Sequence, residues 1–236
     1  MLAQLRQTLR ALERPAGIDG DPGSVALGVA AIDAALGGGL PRGALHEIAA
    51  AGETHVATAA GFALAVSARA ARKSTVWIAE DMARAESGAP HGPGFDAFGL
   101  APERLLTITA AHTRDLLWAM EEALRCRAVG VAIGELRHSE LDMVALRRLS
   151  LAASERGALA LLLRTSPPND ASTAATRWIV SAAPNDCFTV ELTRNRRGLL
   201  GAWTLQWSDD EDDIMLATHA QPVAAPAADR PHRQIA

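Results

Sequence analysis

Residues 44–58, ALHEIAAAGETHVAT, are the stretch whose residue types come closest to a known chemistry. An apolar run there ends in a loop of small residues, which is where an α/β nucleotide-binding protein places its phosphate loop. A working loop needs glycines that let backbone N–H groups wrap the phosphates, a lysine that neutralises their charge, and a hydroxyl on Mg²⁺. The second half of the stretch contains no lysine. The stretch therefore lies where a phosphate loop is expected but lacks a residue that such a loop needs.

Other residues with chemical potential lack the spacing that a site requires. His46-Glu47 begins like a zinc-protease motif, but position 50 is alanine where the second histidine would stand. The remaining candidate ligands show no ligand spacing either: His91, His112, His138, Cys126 and Cys187. No G-x-S-x-G nucleophile motif occurs. The sequence therefore predicts no metal site and no cofactor.

Composition narrows the class of protein. Of the 236 residues, 49% are hydrophobic and 21% are charged, which is enough for one well-buried domain with short extensions. The net charge of −4 is unlike that of a strongly basic nucleic-acid-binding protein. Two distant cysteines fit a reducing cytoplasm, and no apolar run approaches the ~18 residues of a membrane span. We expect a cytoplasmic protein.

Strand-like and helix-like segments alternate between residues 44 and 163. Apolar runs typical of buried strands occur at 44–49, 74–80, 104–109, 128–135 and 158–163. This alternation predicts an α/β fold with a mostly parallel central sheet flanked by helices. After residue 170, the runs TRWIVSAA, DCFTVELTR and LGAWTLQW predict an antiparallel C-terminal strand extension of that sheet.

Two helices of this region have polar residues at their predicted starts. Thr113 is the predicted cap of the first, whose inward side chains are Leu116, Leu117, Met120 and Leu124. Ser139-x-x-Asp142 is the predicted capping box of the second, whose inward side chains are Met143, Leu146, Leu149 and Ala153.

Three regions follow from these patterns. Residues 1–24 form an amphipathic helix and linker, with a helical face made of Leu2, Leu5, Leu9 and Leu12. Residues 25–207 form the core domain, and 208–236 form an acidic, Pro/Ala-rich disordered tail. The run Asp209–Asp213 in that tail is typical of solvated surface, because like charges repel one another.

The stretch LGVAAIDAALGGGLPRGALHEIAAAGE resembles the segment that enters the phosphate loop of RecA-type recombinases. More closely, residues 1–207 resemble the ImuA family of RecA-like accessory proteins in bacterial mutagenic translesion synthesis. RLLTITAAHTRDLLWAMEEALRCRAVGVAIGEL and ATRWIVSAAP followed by GLLGAWTLQW carry this second resemblance. It implies a RecA-like core for 25–207.

The resemblance places the RecA phosphate loop on this sequence residue by residue. The first glycine of the RecA loop falls on Ala50, the second on His55, the lysine on Val56 and the threonine on Ala57. The lysine and the metal-binding hydroxyl are lost, so the resemblance implies a vestigial loop.

In the same comparison, the acidic residues of this sequence lie one residue away from, or beside, the positions that match the carboxylates of the RecA site. The metal-orienting aspartate falls on Gly134, with Glu135 one residue further on, and the water-activating glutamate falls on Asp81, beside Glu80. A shift of one residue points a strand side chain to the opposite face of the sheet. We interpret these acids as capping or solvated groups rather than catalytic ones.

Interaction surfaces are implied at both ends of the core. Arg194 and Arg196 match two RecA lysines that reach the nucleotide of a neighbouring subunit, and Arg197 stands beside them. The N-terminal leucine face packs either on a neighbour or on its own core. Residues 166–175 match a DNA-binding loop of RecA but contain no arginine, lysine or aromatic residue, so any DNA contact is weak or indirect.

The resemblance implies a non-catalytic RecA-like adaptor in SOS-induced error-prone translesion synthesis. Its expected partners are a Y-family polymerase-like protein of the ImuB type and an error-prone C-family DNA polymerase, with RecA as a further candidate. One alternative is a DNA-dependent ATPase in which Arg42 or Lys73 replaces the missing lysine. The other is a regulator that binds RecA.

Overall fold

The computed structural model describes residues 23–70, 73–81, 95, 98, 100–137, 141–169, 171–184, 187–207 and 216–218. The predicted N-terminal leucine face and most of the predicted tail lie outside these ranges, as does the Gly- and Pro-rich loop predicted at 81–94 except for Asp81. Among the described residues, no helix is long and apolar enough to cross a membrane.

Helices and strands alternate through the core as the sequence predicts. The strands are β1 (Ser24–Val25), β2 (Leu40–Pro41), β3 (Ala44–Ala50), β4 (Ser74–Glu80), β5 (Leu105–Ala110), β6 (Val129–Leu136), β7 (Leu159–Arg164), β8 (Thr176–Ala182), β9 (Cys187–Asn195), β10 (Gly201–Trp207) and β11 (Leu216–Thr218). The helices are α1 (Ala30–Leu36), α2 (Val56–Ala70), α3 (Thr113–Arg125) and α4 (Met143–Arg156). The prediction of an α/β core is confirmed.

One nine-stranded sheet, ordered β11-β10-β9-β8-β3-β7-β6-β4-β5, organises the fold. The six strands from β8 to β5 pair in parallel, and β9, β10 and β11 add antiparallel pairs. The prediction of a mostly parallel sheet with an antiparallel C-terminal extension is therefore confirmed. Strands β6 and β7 are buried along their whole length, as parallel strands covered on both faces must be.

Two details of the C-terminal region differ from the sequence-based expectation. β8 was expected in the antiparallel extension, yet it pairs in parallel with β3 and in antiparallel with β9. Residues 165–175 connect β7 to β8, and their described part contains no helix. This connection brings β8 into parallel pairing with β3. Within the predicted tail, Leu216–Thr218 form β11 against β10, so these three residues are not disordered.

Separate apolar layers cover the two faces of the sheet. Helices α1 and α2 pack on one face, where Phe62 lies 5.6 Å from Trp178 and 6.4 Å from Phe188 between ring centroids. Helices α3 and α4 pack on the other face through Leu116, Met120, Leu146 and Leu149, all fully buried. This burial of apolar area is the main stabilising contribution to the fold.

The predicted helix starts are only partly correct. Asp142 is itself the N-cap of α4 and accepts a hydrogen bond from the Ala145 N–H at 2.7 Å, whereas Ser139, the first residue of the predicted capping box, lies outside the described residues. Thr113 is not a cap, because it is the first residue of α3, and its hydroxyl donates to Glu80 Oε1 at 2.6 Å. Met143 was expected inward but is 46% exposed.

Candidate functional site: a bonded loop and an arginine hairpin at opposite sheet edges

The loop at the phosphate-loop position follows β3 and is tied to β8. The Ala51 N–H donates to the Val180 carbonyl at 2.8 Å, and the Ala182 N–H donates to His55 Nδ1 at 3.1 Å. Glu53–His55 form one turn of 3₁₀ helix before α2 begins. The loop is thus part of the sheet edge rather than an open cradle.

Two further N–H groups of the loop, those of His55 and Val56, are engaged within the protein. His55 N–H donates to the Gly52 carbonyl at 3.0 Å, and Val56 N–H donates to the Glu53 carbonyl. Phosphate loops bind through several N–H groups that converge on open space. The exposed carboxylate of Glu53 adds a negative charge at the same place, which opposes an anion.

The four positions that match the RecA loop have no anion-binding chemistry here. Ala50 is fully buried as the last residue of β3, and His55 is the anchor to β8. Val56 packs against the α2-side core, and Ala57 is exposed. Neither side chain offers a cation or a hydroxyl.

Gly134 and Glu135 point to opposite faces of β6, as their spacing requires. A Cβ at Gly134 would lie 2.8 Å from Met120 Sδ and 3.1 Å from Leu116 Cδ2, so α3 leaves no room for an aspartate there. Glu135 accepts a hydrogen bond from Trp77 Nε1 at 3.0 Å. Burial raises the pKa of Glu135, the Trp77 hydrogen bond opposes that shift, and the nearby Glu80 charge adds to it.

Glu80 joins three elements at the carboxyl edge of the parallel strands. Its Oε1 accepts from the Thr113 hydroxyl and its Oε2 accepts from the Arg137 N–H at 3.3 Å, while the residue is only 8% exposed. Asp81 is exposed beside it. The contacts of Glu80 are those of a structural brace between β4, the start of α3 and the end of β6.

The two cations considered as substitutes for the missing lysine lie at the other edge of the sheet. Arg42 Nη2 donates to the Ala70 carbonyl at the end of α2, at 2.9 Å. Lys73 immediately precedes β4 and lies near Gly130, at the start of β6. The seven-residue strands between this edge and the loop are about 20 Å long.

The β9–β10 turn presents the predicted arginines on an anchored hairpin tip, residues 195–201. Asn195 Nδ2 donates to the carbonyls of Ala35 at 3.0 Å and Leu199 at 3.1 Å, and the Leu199 N–H also donates to Ala35 at 3.2 Å. The backbone at Gly198 lies so close to the Ala35 carbonyl that a Cβ would clash. The tip is therefore fixed to the end of α1.

The three predicted arginines have different surroundings. Arg194 Nε donates to the Ala174 carbonyl at 3.0 Å, so this half-buried side chain braces the β7–β8 crossover. Arg196 and Arg197 are exposed at the hairpin tip. Leu199 and Leu200, next to them, are 75% and 60% exposed. The exposed part of the tip thus combines two cations with two apolar side chains.

A buried polar network lies behind the tip and escaped the sequence-based interpretation. His46 Nε2 donates to the Pro41 carbonyl at 3.0 Å, which leaves Nδ1 to accept from the Thr176 hydroxyl at 2.8 Å. Thr176 in turn accepts from Trp178 Nε1 at 2.9 Å. Burial lowers the pKa of His46 to about 4; the Pro41 hydrogen bond opposes this shift and the Arg197 charge adds to it. Burial therefore favours the neutral imidazole.

Glu47, the other half of the apparent zinc-protease motif, is also structural. It is fully buried, and its Oε2 accepts from Arg177 Nε at 2.6 Å. Its Oε1 lies 3.6 Å from Arg164 Nη2. No group of three candidate ligands that could hold a metal ion occurs within the described part of the chain.

The β7–β8 crossover packs on the α4 side of the sheet. The Thr173 hydroxyl lies 3.0 Å from that of Ser150 on α4, and the Pro168 carbonyl accepts from Arg177 Nη1 at 3.3 Å. These contacts hold the segment that matches a RecA DNA-binding loop against the core.

The loop and the hairpin tip occupy opposite edges of the sheet. The loop follows the carboxyl end of β3, whereas the tip lies beside the beginning of β8, where the Arg196 N–H donates to the Ala175 carbonyl at 3.0 Å. Arg196 and Arg197 are therefore separated from the loop of their own chain by the length of the sheet.

Fold and site together define a mostly parallel α/β protein in which the loop after β3 is a turn bonded to β8. No protein-family model matches the chain. Two curated relatives, both called Protein ImuA and from two strains of Caulobacter vibrioides (NA1000 / CB15N and ATCC 19089 / CIP 103742 / CB 15), are 32% identical to it over 196 residues. The match covers 72% of this chain and 77% of each relative. The chain belongs to the ImuA family.

Proposed function

We propose that the protein is a non-catalytic adaptor in SOS-induced, error-prone translesion DNA synthesis. It assembles with a Y-family polymerase-like protein of the ImuB type and with an error-prone C-family DNA polymerase. Membership in the ImuA family supports the mutagenesis context, and the resemblance of residues 1–207 supports these partners. The proposal assigns the protein an assembly role on a RecA-like core, in the cytoplasm.

The bonded loop is the observation that carries the non-catalytic part of the proposal. Ala51, His55 and Val56 use their N–H groups within the protein, and the matched lysine and threonine positions are Val56 and Ala57. A substitute cation would have to act from outside the loop with good geometry. Arg42 and Lys73 lie about 20 Å away along the strands, which disfavours the ATPase alternative.

Exposed apolar side chains support the assembly part. Among the described residues, the large ones include Trp118 at 62%, Leu199 at 75% and Leu200 at 60% exposure. Aromatic and arginine side chains dominate the energetics of protein interfaces. The hairpin tip supplies Arg196 and Arg197 beside two leucines, so it is the surface we assign to partner binding.

A regulator that binds RecA is the second candidate, and the position of the hairpin tip favours it. Because Arg196 and Arg197 lie far from the loop of their own chain, they cannot supply the missing cation of that loop. In the resembled RecA arrangement, such cations reach the nucleotide site of a neighbour. Competitive binding to RecA would use the same tip as the adaptor function.

Size-exclusion chromatography with each purified partner tests the proposal. We expect co-elution with the ImuB-type protein, and loss of the complex in the double variant Arg196→Glu, Arg197→Glu. Arg114→Glu is the matched control, because the Arg114 side chain is 90% exposed on α3, away from the tip. Co-elution with RecA alone would favour the regulator, and no complex with any partner would contradict both functions.

A further inference from the structure

The hairpin tip exposes two leucines on a backbone that is held in place. Leu199 and Leu200 are 75% and 60% exposed, while Asn195 and the Leu199 N–H bind the Ala35 carbonyl. A flexible turn could fold such side chains inward, but this tip is fixed at the end of α1. The exposed leucines therefore form a preformed apolar surface.

The chain enters the described structure beside this tip. The Arg42 N–H donates to the Gly23 carbonyl at 3.0 Å, and the Ser24 hydroxyl donates to the Gly38 carbonyl at 2.8 Å. Gly38 immediately follows the end of α1, and the last turn of that helix carries the Ala35 carbonyl that holds Leu199. The described chain therefore begins, at Gly23, within a few residues of the surface that the tip contacts.

The preceding segment carries an apolar face of matching character. Leu2, Leu5, Leu9 and Leu12 recur at helical spacing, and a face of that kind must be buried to be stable. Ten residues separate Leu12 from Gly23, which allows a reach of at most about 36 Å. Pro15, Gly17, Gly20 and Pro22 favour turns in that linker.

We propose that the N-terminal segment docks in cis on the hairpin tip, with its leucine face covering Leu199 and Leu200. A tethered segment acts at a high effective concentration, on the order of millimolar for a short linker. The tether therefore favours the same chain over a second copy as the source of the docked segment. Docking covers the apolar part of the tip beside Arg196 and Arg197.

Charge gives the docked state a recognisable salt dependence. Arg6 and Arg10 flank the leucine face, and Arg196 and Arg197 flank the tip. The contact is apolar and is opposed by like charges, so salt that screens those charges strengthens it. Docking of an acidic partner on the same tip would weaken with salt instead. The inference concerns a contact within one chain and does not rest on the proposed function.

Disulfide trapping in the full-length protein tests the contact. Cys126 and Cys187 are replaced by serine, and Leu5→Cys is combined with Leu200→Cys. The matched control pairs Gln7→Cys with Leu200→Cys, because Gln7 lies on the opposite face of the predicted helix. We expect the Leu5 pair to form an intramolecular disulfide about tenfold faster than the control, at a yield that is constant over about a hundredfold dilution.

Two outcomes overturn the proposal. Equal rates for the two pairs would show no preferred contact, and a disulfide-linked dimer whose yield rises with concentration would assign the tip to a second copy. A variant without new cysteines gives an independent readout. In Leu5→Ser, Leu9→Ser, hydrogen exchange of the 196–203 amides should rise several-fold over wild type, and unchanged exchange would also contradict docking.

Discussion

An anchored loop lies at one edge of the parallel sheet and an anchored hairpin tip at the other, but the two differ in what they expose to solvent. At the carboxyl edge, the loop after β3 uses the N–H groups of Ala51 and His55 within the protein, and the His55 side chain ties it to β8. At the other edge, the hairpin tip is equally well anchored, yet it projects Arg196, Arg197 and two leucines into solvent. Anchoring thus ties the loop after β3 into the sheet, whereas at the hairpin tip it holds exposed side chains in place.

Introducing the metal-orienting aspartate of the RecA site would break the carboxyl edge. Gly134→Asp places a Cβ 2.8 Å from Met120 Sδ and buries an unpaired charge under α3. We expect a loss of about 4 kcal/mol in the free energy of unfolding, from overpacking and charge burial. Urea denaturation measures it, with Gly134→Ala as the smaller, uncharged control. Equal stability of wild type and Gly134→Asp would show that the site can accept a carboxylate.

Acidification should act on the hairpin edge through His46. Its folded pKa is lowered to about 4 from 6.5, so the unfolded chain binds the proton first as the pH falls. The stabilisation is therefore complete above pH 6.5 and is lost between pH 6.5 and 4, by about 3 kcal/mol in total.

Urea unfolding of wild type and His46→Gln at several pH values between 7.5 and 4 isolates this contribution. The stability of the variant should fall less steeply with pH in that window, because carboxylates affect both proteins alike. Parallel curves would show that His46 does not titrate against the folded state.

Removing the loop anchor should have a smaller effect. His55→Ala leaves the Ala182 N–H without its imidazole acceptor at the sheet edge, where water can replace it. We expect a loss of about 1 kcal/mol in the free energy of unfolding, together with faster hydrogen exchange at residues 51–55 and 180–182. A loss confined to global stability, with no local change in exchange, would contradict the anchoring role.

The smallest expected effect on stability is at the exposed arginines. Arg196→Glu with Arg197→Glu should change the free energy of unfolding by no more than about 0.5 kcal/mol, because both side chains are exposed. The same double variant should bind the ImuB-type partner at least about tenfold more weakly if the tip is the docking surface. Unchanged affinity, measured by calorimetry, would remove the tip from the interface.

Sequence patterns were sufficient where the information is local. Alternating strand and helix runs predicted the parallel core. Asp142 was predicted as the second member of a capping box at the start of α4, and it caps that helix itself through Ala145, three residues away. These features depend on residues that are close to one another in the sequence.

Features that depend on distant partners could not be predicted in the same way. Thr113 looks like a cap, but Glu80, 33 residues earlier, takes its hydroxyl. His46 and Thr176 are 130 residues apart, and His55 reaches Ala182 over 127. The parallel pairing of β8 is set by a crossover without a helical pattern. Each of these outcomes is decided by which strands become neighbours in the sheet.

The most direct test of the contrast between the two edges is a calorimetric titration of the full-length protein with Mg·ATP, paired with a hydrolysis assay with and without single-stranded DNA. The bonded loop predicts no saturable heat and no turnover above background. Saturable binding with DNA-stimulated hydrolysis would contradict the account, because the loop after β3 would then have to open and bind phosphate without the lysine of a phosphate loop.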